Sequence, residues 1–273
     1  MRADLHTHTS ASDGTLSPAE VVQQAHAAGV ELLAITDHDT LDGVLAVSGS
    51  VPEGLKLISG IELSANWGNT GVHIVGLDID LNNVVLLDGI KYQTRVRKER
   101  AEIIAERLEK AGFSNVLAGA QQVAAGRQIG RPHFARYLVD SGQIKDVSTA
   151  FKRHLGRGKR GDVRQGWPDI ATVIDWVHAA GGVAVLAHPA KYKLTNLKLE
   201  ELCRAFVAAG GDAIEVVSGF QNSQLTEKLG RLANRHGLKA SAGSDFHQPG
   251  QHWAGLGAAP ALPSDCRPVW EGW

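Results

Sequence analysis

The segment Asp4-Leu5-His6-Thr7-His8 combines a strand pattern with three polar side chains of the kind found in metal sites. Apolar and polar residues alternate over residues 2–7, which predicts a short β-strand. Side chains two residues apart lie on the same face of a strand, so Asp4, His6 and His8 should project together. Neutral imidazole is the commonest nitrogen ligand of protein-bound metals. His-x-His alone is frequent by chance, and the interpretation depends on the rest of the chain.

Further His, Asp and Glu residues occur along the chain, and almost every one of them follows directly on a short apolar run, where a strand should end. They are Asp13 in Ser12-Asp13-Gly14, His38 in Thr36-Asp37-His38-Asp39, Glu62 after Gly60-Ile61, His73, His188 before Pro189, and Asp245 and His247 in Ser244-Asp245-Phe246-His247. The carboxyl ends of successive strands meet at the mouth of an α/β barrel. Together with His6 and His8, these residues therefore predict a site for several metal ions.

Single residues of this set have simpler explanations. A lone His or Asp at a strand end is more often a turn residue or a satisfied polar group. His73 is the weakest member, because one histidine inside an apolar strand can simply pack against a neighbouring strand. We interpret Asp4 and Asp37 as carboxylates that accept the second N–H of a ligand histidine and so fix its tautomer. Asp39 fits the same interpretation or an N-cap of the following helix.

At these motifs the sequence resembles the PHP (polymerase and histidinol phosphatase) family of metal-dependent phosphoesterases. The motifs occur in the family's order over residues 4–247. The resemblance implies an α/β fold, a distorted seven-stranded (β/α)7 barrel, and up to three bound divalent metal ions. It also implies three ligand sets: His6, His8, Glu62 and Asp245; Glu62, His73 and His188, with Glu62 bridging; and Asp13, His38 and His247.

The ligand types narrow the choice of metal. Mixed imidazole and carboxylate ligands suit Mn²⁺, Fe²⁺ or Zn²⁺ and argue against a pure Ca²⁺ or Mg²⁺ site. We expect Mn²⁺ as the cofactor, with Fe²⁺ and Zn²⁺ as alternatives.

Strand and helix signals alternate in both terminal parts of the chain. Strands are predicted at residues 30–36, 55–63, 72–77, 183–187, 213–217 and 239–242 besides the first, and helices at 17–28, 41–48, 169–180, 197–209 and 223–236. This alternation predicts a parallel α/β barrel or a related layered fold. Residues 83–165 carry helix signals alone, at 95–111, 118–125, 132–139 and 147–155. We therefore predict a metal-binding barrel of residues 1–82 and 166–273 and an all-helical insertion domain of residues 83–165 for substrate recognition.

Composition limits the partners and the compartment. The 28 Lys and Arg residues balance 29 Asp and Glu residues, which gives no support for binding long duplex nucleic acid or an acidic membrane. The two cysteines, Cys203 and Cys266, form no disulfide framework and favour a reducing compartment. The chain starts without a leader pattern and has no apolar run of about 20 residues. We expect a cytoplasmic protein without an obligatory protein partner.

Two basic features of the insertion are candidates for phosphate binding. Gly130-Arg131-Pro132-His133 opens a helix, where free N–H groups and the Arg131 guanidinium could hold a phosphate. The alternative is a surface arginine beside a proline in the first helical turn. Residues 152–164, which include Arg160, form a basic glycine-rich segment that could follow a polyanion or be a solvated charged face. We take Arg131, His133 and Arg160 as the expected substrate-binding residues.

The chemistry of such a site is phosphate ester hydrolysis. Clustered divalent ions activate water, orient a phosphoryl group and neutralise charge on the displaced oxygen. We therefore expect attack by metal-bound hydroxide. Asp37 is expected to assist catalysis indirectly, by holding a ligand histidine in place. The resemblance is closest to PHP proteins that remove the 3′-phosphate of nucleoside 3′,5′-bisphosphates, converting pAp to AMP, and also trim short 5′-phosphorylated RNA. The alternatives are a histidinol-phosphate phosphatase and a non-catalytic nucleotide-binding PHP module.

Overall fold

The computed structural model describes residues 1–273, and the chain divides into two compact units. The first unit contains Met1–Ile90 and Pro168–Trp273, and the second contains Lys91–Trp167. None of the helices combines the length and the apolar character needed to span a membrane.

A seven-stranded sheet forms the centre of the first unit. Its strands are β1 (Ala3–Asp4), β2 (Leu32–Ile35), β3 (Lys56–Trp67), β4 (Thr70–Leu77), β5 (Val183–Leu186), β6 (Ala213–Ser218) and β7 (Lys239–Gly243), and they are neighbours in chain order. The N–H of Leu5 donates to the carbonyl of Ala242 at 3.0 Å, so the first and last strands also meet. The sheet is thus nearly closed into a barrel, and the predicted seven-stranded α/β barrel is confirmed.

Helices cover the outside of this barrel. They are α1 (Pro18–Ala27), α2 (Asp42–Val47), the start of α3 (Val84–Glu109), and, in the carboxyl-terminal half, α7 (Ile170–Ala179), α8 (Asn196–Ala208) and α9 (Ser223–Arg235). The start of α1 follows from its sequence. Ser17 accepts the N–H of Glu20, the Glu20 carboxylate accepts the N–H of Ser17, and Pro18 occupies the first turn. Apolar helix faces and strand residues together form the main core.

The prediction of a parallel barrel is wrong at β4. This strand runs antiparallel to both β3 and β5. Only Gly68 and Asn69 separate β3 from β4, and Gly68 has a φ of +53°. A link of two residues makes a hairpin, whereas a parallel neighbour needs a crossover of about a dozen residues or more.

The second unit is helical. It contains the remainder of α3, then α4 (Val116–Ala124), α5 (Arg131–Asp140) and α6 (Val147–Ala150), which continues as one π-helical turn over Phe151–Leu155. Its core is separate from that of the barrel and includes Leu108, Phe134 and Leu138, all fully buried. The helix predicted to start at residue 95 starts instead at Val84, because the whole segment after Asn83 is compatible with helix and the Asn83 side chain caps its first turn.

Candidate metal centre

All nine residues predicted as metal ligands lie together at one end of the barrel. His6, His8 and Asp13 follow β1, His38 follows β2, Glu62 and His73 lie within β3 and β4, His188 follows β5, and Asp245 and His247 follow β7. Each has a ring nitrogen or carboxylate oxygen within 3.4 Å of such an atom in another member. The side chains therefore form one continuous cluster, and it includes His73, the member least expected from the sequence.

Glu62 is the centre of this cluster and is fully buried. Its two oxygens contact five imidazoles: Oε1 lies 2.8 Å from His73 Nδ1, 2.9 Å from His188 Nε2 and 3.3 Å from His6 Nε2, and Oε2 lies 2.9 Å from His38 Nδ1 and 3.2 Å from His8 Nε2. Burial alone would raise the pKa of Glu62, but the surrounding imidazoles outweigh it and hold the pKa well below its usual range. The carboxylate is therefore ionised and positioned to bridge.

Four groups of three or more side chains bring their candidate ligand atoms within 4.8 Å of one another. They are His8, Asp13, His38 and His247; His6, Glu62 and His188; His6, His8 and Asp245; and His38, Glu62 and His73. The division differs from the three sets implied by resemblance, since His6, His8 and His38 each belong to two groups.

The ring nitrogens and carboxylate oxygens that face one another in the cluster are suitable ligands for divalent metal ions. Nε2 of His6 lies 3.1 Å from Nε2 of His8, and Nδ1 of His73 lies 3.3 Å from Nε2 of His188. Oε2 of Glu62 is buried and makes no hydrogen bond of normal geometry, although ring nitrogens of His38 and His8 lie close to it. Nδ1 of His8 is also buried without a hydrogen-bond partner. Buried polar atoms are normally paired, and converging nitrogens and carboxylate oxygens are the donor set of Mn²⁺, Fe²⁺ and Zn²⁺.

The protonation of the histidines supports the same interpretation. Burial lowers the pKa of His38 and of His188, so both rings are neutral, which is the ligand form. Burial also lowers the pKa of His8, but its contacts with Asp245 and Glu62 raise it to about 10. Binding of a cation at His8 therefore has to displace a proton.

Sequence reasoning missed Glu215, which lies in β6 and is almost completely buried. Its Oε1 lies 3.1 Å from Nδ1 of His6, and its Oε2 accepts the N–H of His188. A carboxylate on the far nitrogen of a ligand histidine fixes the tautomer and the orientation of the ring. The available signal was a single charged residue inside the apolar run of residues 213–217.

Asp4 does not have the role predicted for it. Its oxygens accept the N–H of Ser244 at 2.7 Å and of Gly257 at 3.0 Å, and it makes no hydrogen bond to a histidine. Burial raises its pKa to about 6, against the lowering effect of these hydrogen bonds. The side chain therefore holds both ends of the loop that follows β7.

Asp37 binds groups of the segment that follows β1, and Asp39 binds a residue of β3. Asp37 accepts the N–H of Thr9 at 2.8 Å, its hydroxyl at 2.6 Å and the hydroxyl of Ser12, so the prediction that it accepts a histidine N–H is wrong. Asp39 accepts the N–H and the hydroxyl of Ser64, and no side chain caps α2, so the N-cap alternative is wrong too. Both carboxylates fix the backbone beside His8 and His38.

Lys191 is a second residue that sequence reasoning missed. Its ammonium group contacts the Asp245 carboxylate, while half of its side chain is exposed. Burial would lower the pKa of Lys191, but Asp245 raises it, so the side chain carries a positive charge at the edge of the cluster. A cation at this place suits a substrate with a phosphate group.

The three residues predicted to bind substrate lie in the helical unit. Arg131 begins α5, and its guanidinium donates to the carbonyl of Leu155 at 3.2 Å. His133 is buried, and its Nδ1 accepts the N–H of Gly130 at 2.9 Å, which supports the start of α5. The carbonyl of Arg160 accepts from Arg107 at 3.2 Å.

Comparison with known proteins identifies the family. The PHP domain model matches residues 4–181. The chain belongs to the PHP family. It is 42% identical over 270 residues to the 3′,5′-nucleoside bisphosphate phosphatase of Chromobacterium violaceum (98% of this chain, 95% of the relative). It is 43% identical over 273 residues to the 5′-3′ exoribonuclease Rnm of Escherichia coli (99% and 93%).

Among solved structures, an amidohydrolase from Chromobacterium violaceum with bound sulfate and no metal superposes with a TM-score of 0.92 at 41% identity, covering 99% of this chain and 95% of that one. The family membership and these relatives make this PHP protein a hydrolase of phosphate ester bonds. PHP phosphoesterases depend on metal ions, and the His, Asp and Glu groups of this chain could hold them.

Proposed function

We propose that this PHP protein removes the 3′-phosphate from nucleoside 3′,5′-bisphosphates and so converts pAp to AMP. The observation that carries the proposal is the complete cluster of nine His, Asp and Glu side chains around the buried carboxylate of Glu62. The substrate class is supported by the Chromobacterium violaceum relative, which is similar over nearly the full length of both chains.

The residues that would hold the metal ions are the nine cluster members, and Mn²⁺ is the ion we propose. Bound divalent ions supply activation of water and neutralisation of charge on the phosphoryl and leaving oxygens. Glu215 orients His6 through Nδ1, and Asp4 and Asp37 hold the loops that carry other members. Lys191 would contact a non-bridging oxygen of the phosphate, because its charged group lies at the edge of the cluster.

The helical unit is proposed to add phosphate recognition. Arg131 opens α5, where the first N–H groups and a guanidinium together favour an anion. Arg160 lies in the basic segment and would interact with a second phosphate or an adjoining nucleotide. His133 supports these residues by stabilising the start of α5.

A second substrate, short 5′-phosphorylated RNA, is supported by the Escherichia coli relative named as a 5′-3′ exoribonuclease. The chemistry is the same, because both reactions hydrolyse a phosphate ester at a ribose. Histidinol-phosphate phosphatase is a weaker candidate, since neither of these relatives carries that activity in its name. A non-catalytic module is disfavoured by the complete donor set. We place the reaction in the cytoplasm, which suits two cysteines that form no disulfide.

The test is phosphate release by the full chain from adenosine 3′,5′-bisphosphate with added Mn²⁺, beside histidinol phosphate and a 5′-phosphorylated RNA dinucleotide. We expect rapid release from the bisphosphate, slower turnover of the dinucleotide, and loss of both with a chelator. Preference for histidinol phosphate would overturn the proposed substrate. Stoichiometric metal without turnover of any of the three would favour the binding module.

A further inference from the structure

Phe220 and Trp253 are large aromatic side chains that are exposed to solvent in the folded chain. Phe220 is 71% exposed and Trp253 is 61% exposed, whereas Phe134 and Phe206 are fully buried. Burying an aromatic side chain is one of the largest hydrophobic gains available to a chain. Two such side chains left exposed close together therefore point to a binding role.

Both residues belong to loops at the metal-bearing end of the barrel. Phe220 lies two residues after the end of β6, and Trp253 follows the Asp245–His247 segment in a short 3₁₀ turn. The N–H of Phe220 donates to the carbonyl of Trp253 at 2.6 Å, so the two backbones are in direct contact.

The backbone around the pair is fixed in place. Gly219 has a φ of +62°, and a Cβ there would lie 2.3 Å from the carbonyl oxygen of Trp253 and 3.0 Å from that of Ser244. Its N–H donates to Gly243 at 2.8 Å, and Asp4 holds both Ser244 and Gly257. A rigid surface loses little entropy when a ligand binds to it.

We infer that Phe220 and Trp253 form a stacking surface for the nucleobase of the substrate. The inference rests on the proposed function, in which the phosphate lies at the metal cluster and the nucleoside extends from it. Every base presents a π-face, and stacking on an aromatic side chain tolerates any base. The surface would therefore contribute affinity without selecting strongly among bases.

A protein partner fits this surface less well. A stable protein interface buries more than about 1,000 Å² in total, and two side chains supply a small fraction of that. Other exposed apolar side chains, such as Leu45, Val84 and Leu197, lie on the outer helices α2, α3 and α8. The area offered by two rings instead matches one base or two stacked bases.

The test compares adenosine 3′,5′-bisphosphate with ribose 3,5-bisphosphate, which carries the same phosphates without a base. Phe220→Ala and Trp253→Ala should each lower kcat/KM for the nucleotide about tenfold, mainly through KM. Neither should change turnover of the base-free substrate. Trp253→Phe should retain most of the activity, and Leu197→Ala, at a residue 65% exposed on an outer helix, serves as the matched control.

A binding measurement separates this inference from the proposed reaction. AMP should quench the fluorescence of the metal-loaded wild-type protein, whereas ribose 5-phosphate should not, and the quenching should be lost in Trp253→Phe. Quenching of this pattern would support the stacking surface even if neither bisphosphate were hydrolysed. Equal loss on both bisphosphates, unchanged nucleotide kinetics in the alanine variants, or absence of base-dependent quenching would overturn it.

Discussion

Oε1 of Glu215 lies 3.1 Å from Nδ1 of His6, on the side of the ring opposite the nitrogen that faces the metal cluster. Nε2 of the same ring lies 3.1 Å from Nε2 of His8 and 3.3 Å from Glu62. The carboxylate therefore keeps a proton on Nδ1. Glu62, Glu215 and Asp245 outweigh burial and hold the pKa of His6 well above its usual value, so a metal ion that binds Nε2 has to displace a proton there. Its second oxygen accepts the N–H of His188, so one side chain positions two members of the cluster.

Glu215→Gln should weaken metal binding by about 10- to 100-fold. The glutamine amide has no charge and only one acceptor oxygen. Its NH₂ group would therefore face the N–H of His188, or, in the other orientation, the contact that accepts the N–H of His6 would be lost. We expect the Mn²⁺ concentration for half-maximal activity to rise, with much of the rate restored at high Mn²⁺. The measurement is activity against free Mn²⁺. Glu201→Gln, on outer helix α8, is the control, and an unchanged Mn²⁺ requirement in Glu215→Gln would contradict the positioning role.

Replacement of a cluster residue should abolish turnover and preserve the fold. His8→Ala removes a ring nitrogen 3.2 Å from Glu62, and Asp245→Asn removes the charge of a carboxylate 3.3 Å from His8. We expect losses of about a thousandfold or more in kcat, with circular dichroism unchanged. Asp175→Asn, at an exposed position on α7, should keep wild-type activity. Wild-type rates in either cluster variant would show that the cluster is not the reaction centre.

Arg131→Ala should raise KM for adenosine 3′,5′-bisphosphate about tenfold or more, because a charge-assisted hydrogen bond to phosphate would be lost. Turnover of 4-nitrophenyl phosphate, which has a single phosphate, should change little. Arg95→Ala, at a residue 66% exposed on α3 of the same unit and outside the basic segment, is the control. Equal effects of Arg131→Ala on both substrates would show that Arg131 does not bind the second phosphate.

Gly43→Ala should destabilise the protein by about 2 kcal/mol or more, since overpacking here separates a buried hydrogen-bonded pair. A Cβ at residue 43 would lie 1.9 Å from Oδ2 of Asp37 and 2.9 Å from Oγ1 of Thr9. Gly49→Ala, in the same region with open space around it, should be nearly neutral. Urea unfolding measures both, and similar free energies of unfolding for the two variants would refute the prediction.

The two cysteines should resist modification in the folded protein. Burial raises the pKa of Cys203 to about 12 and also raises that of Cys266. A raised thiol pKa keeps the group protonated, so at pH 8 only about one Cys203 in ten thousand is thiolate, the reactive form. Reaction with a disulfide reagent at pH 8 should be slow until denaturant exposes two thiols. Rapid reaction of the native protein would contradict this burial.

The sequence predicted the nine residues of the cluster because almost all of them stand beside an apolar run, and strand ends converge in a barrel. It missed Glu215 because the ligand sets implied by the resemblance include Glu62 and His73, which also lie inside strands, but not Glu215. It assigned Asp4 and Asp37 to histidines, since a carboxylate near a ligand has several partners within reach and only coordinates distinguish them. Lys191 was missed because a lysine after a strand is ordinarily solvated.

The backbone hydrogen bond between Leu5 and Ala242 joins segments near opposite ends of the sequence. The contact can form only after most of the chain has been made. Closing so long a loop costs entropy that is recovered only when β7 packs against β1. His6 and His8 are synthesised early, but Asp245 and His247 join them only after that closure. We therefore expect the complete cluster to form late in folding, and a cation bound there to slow unfolding by linking the first and last strands.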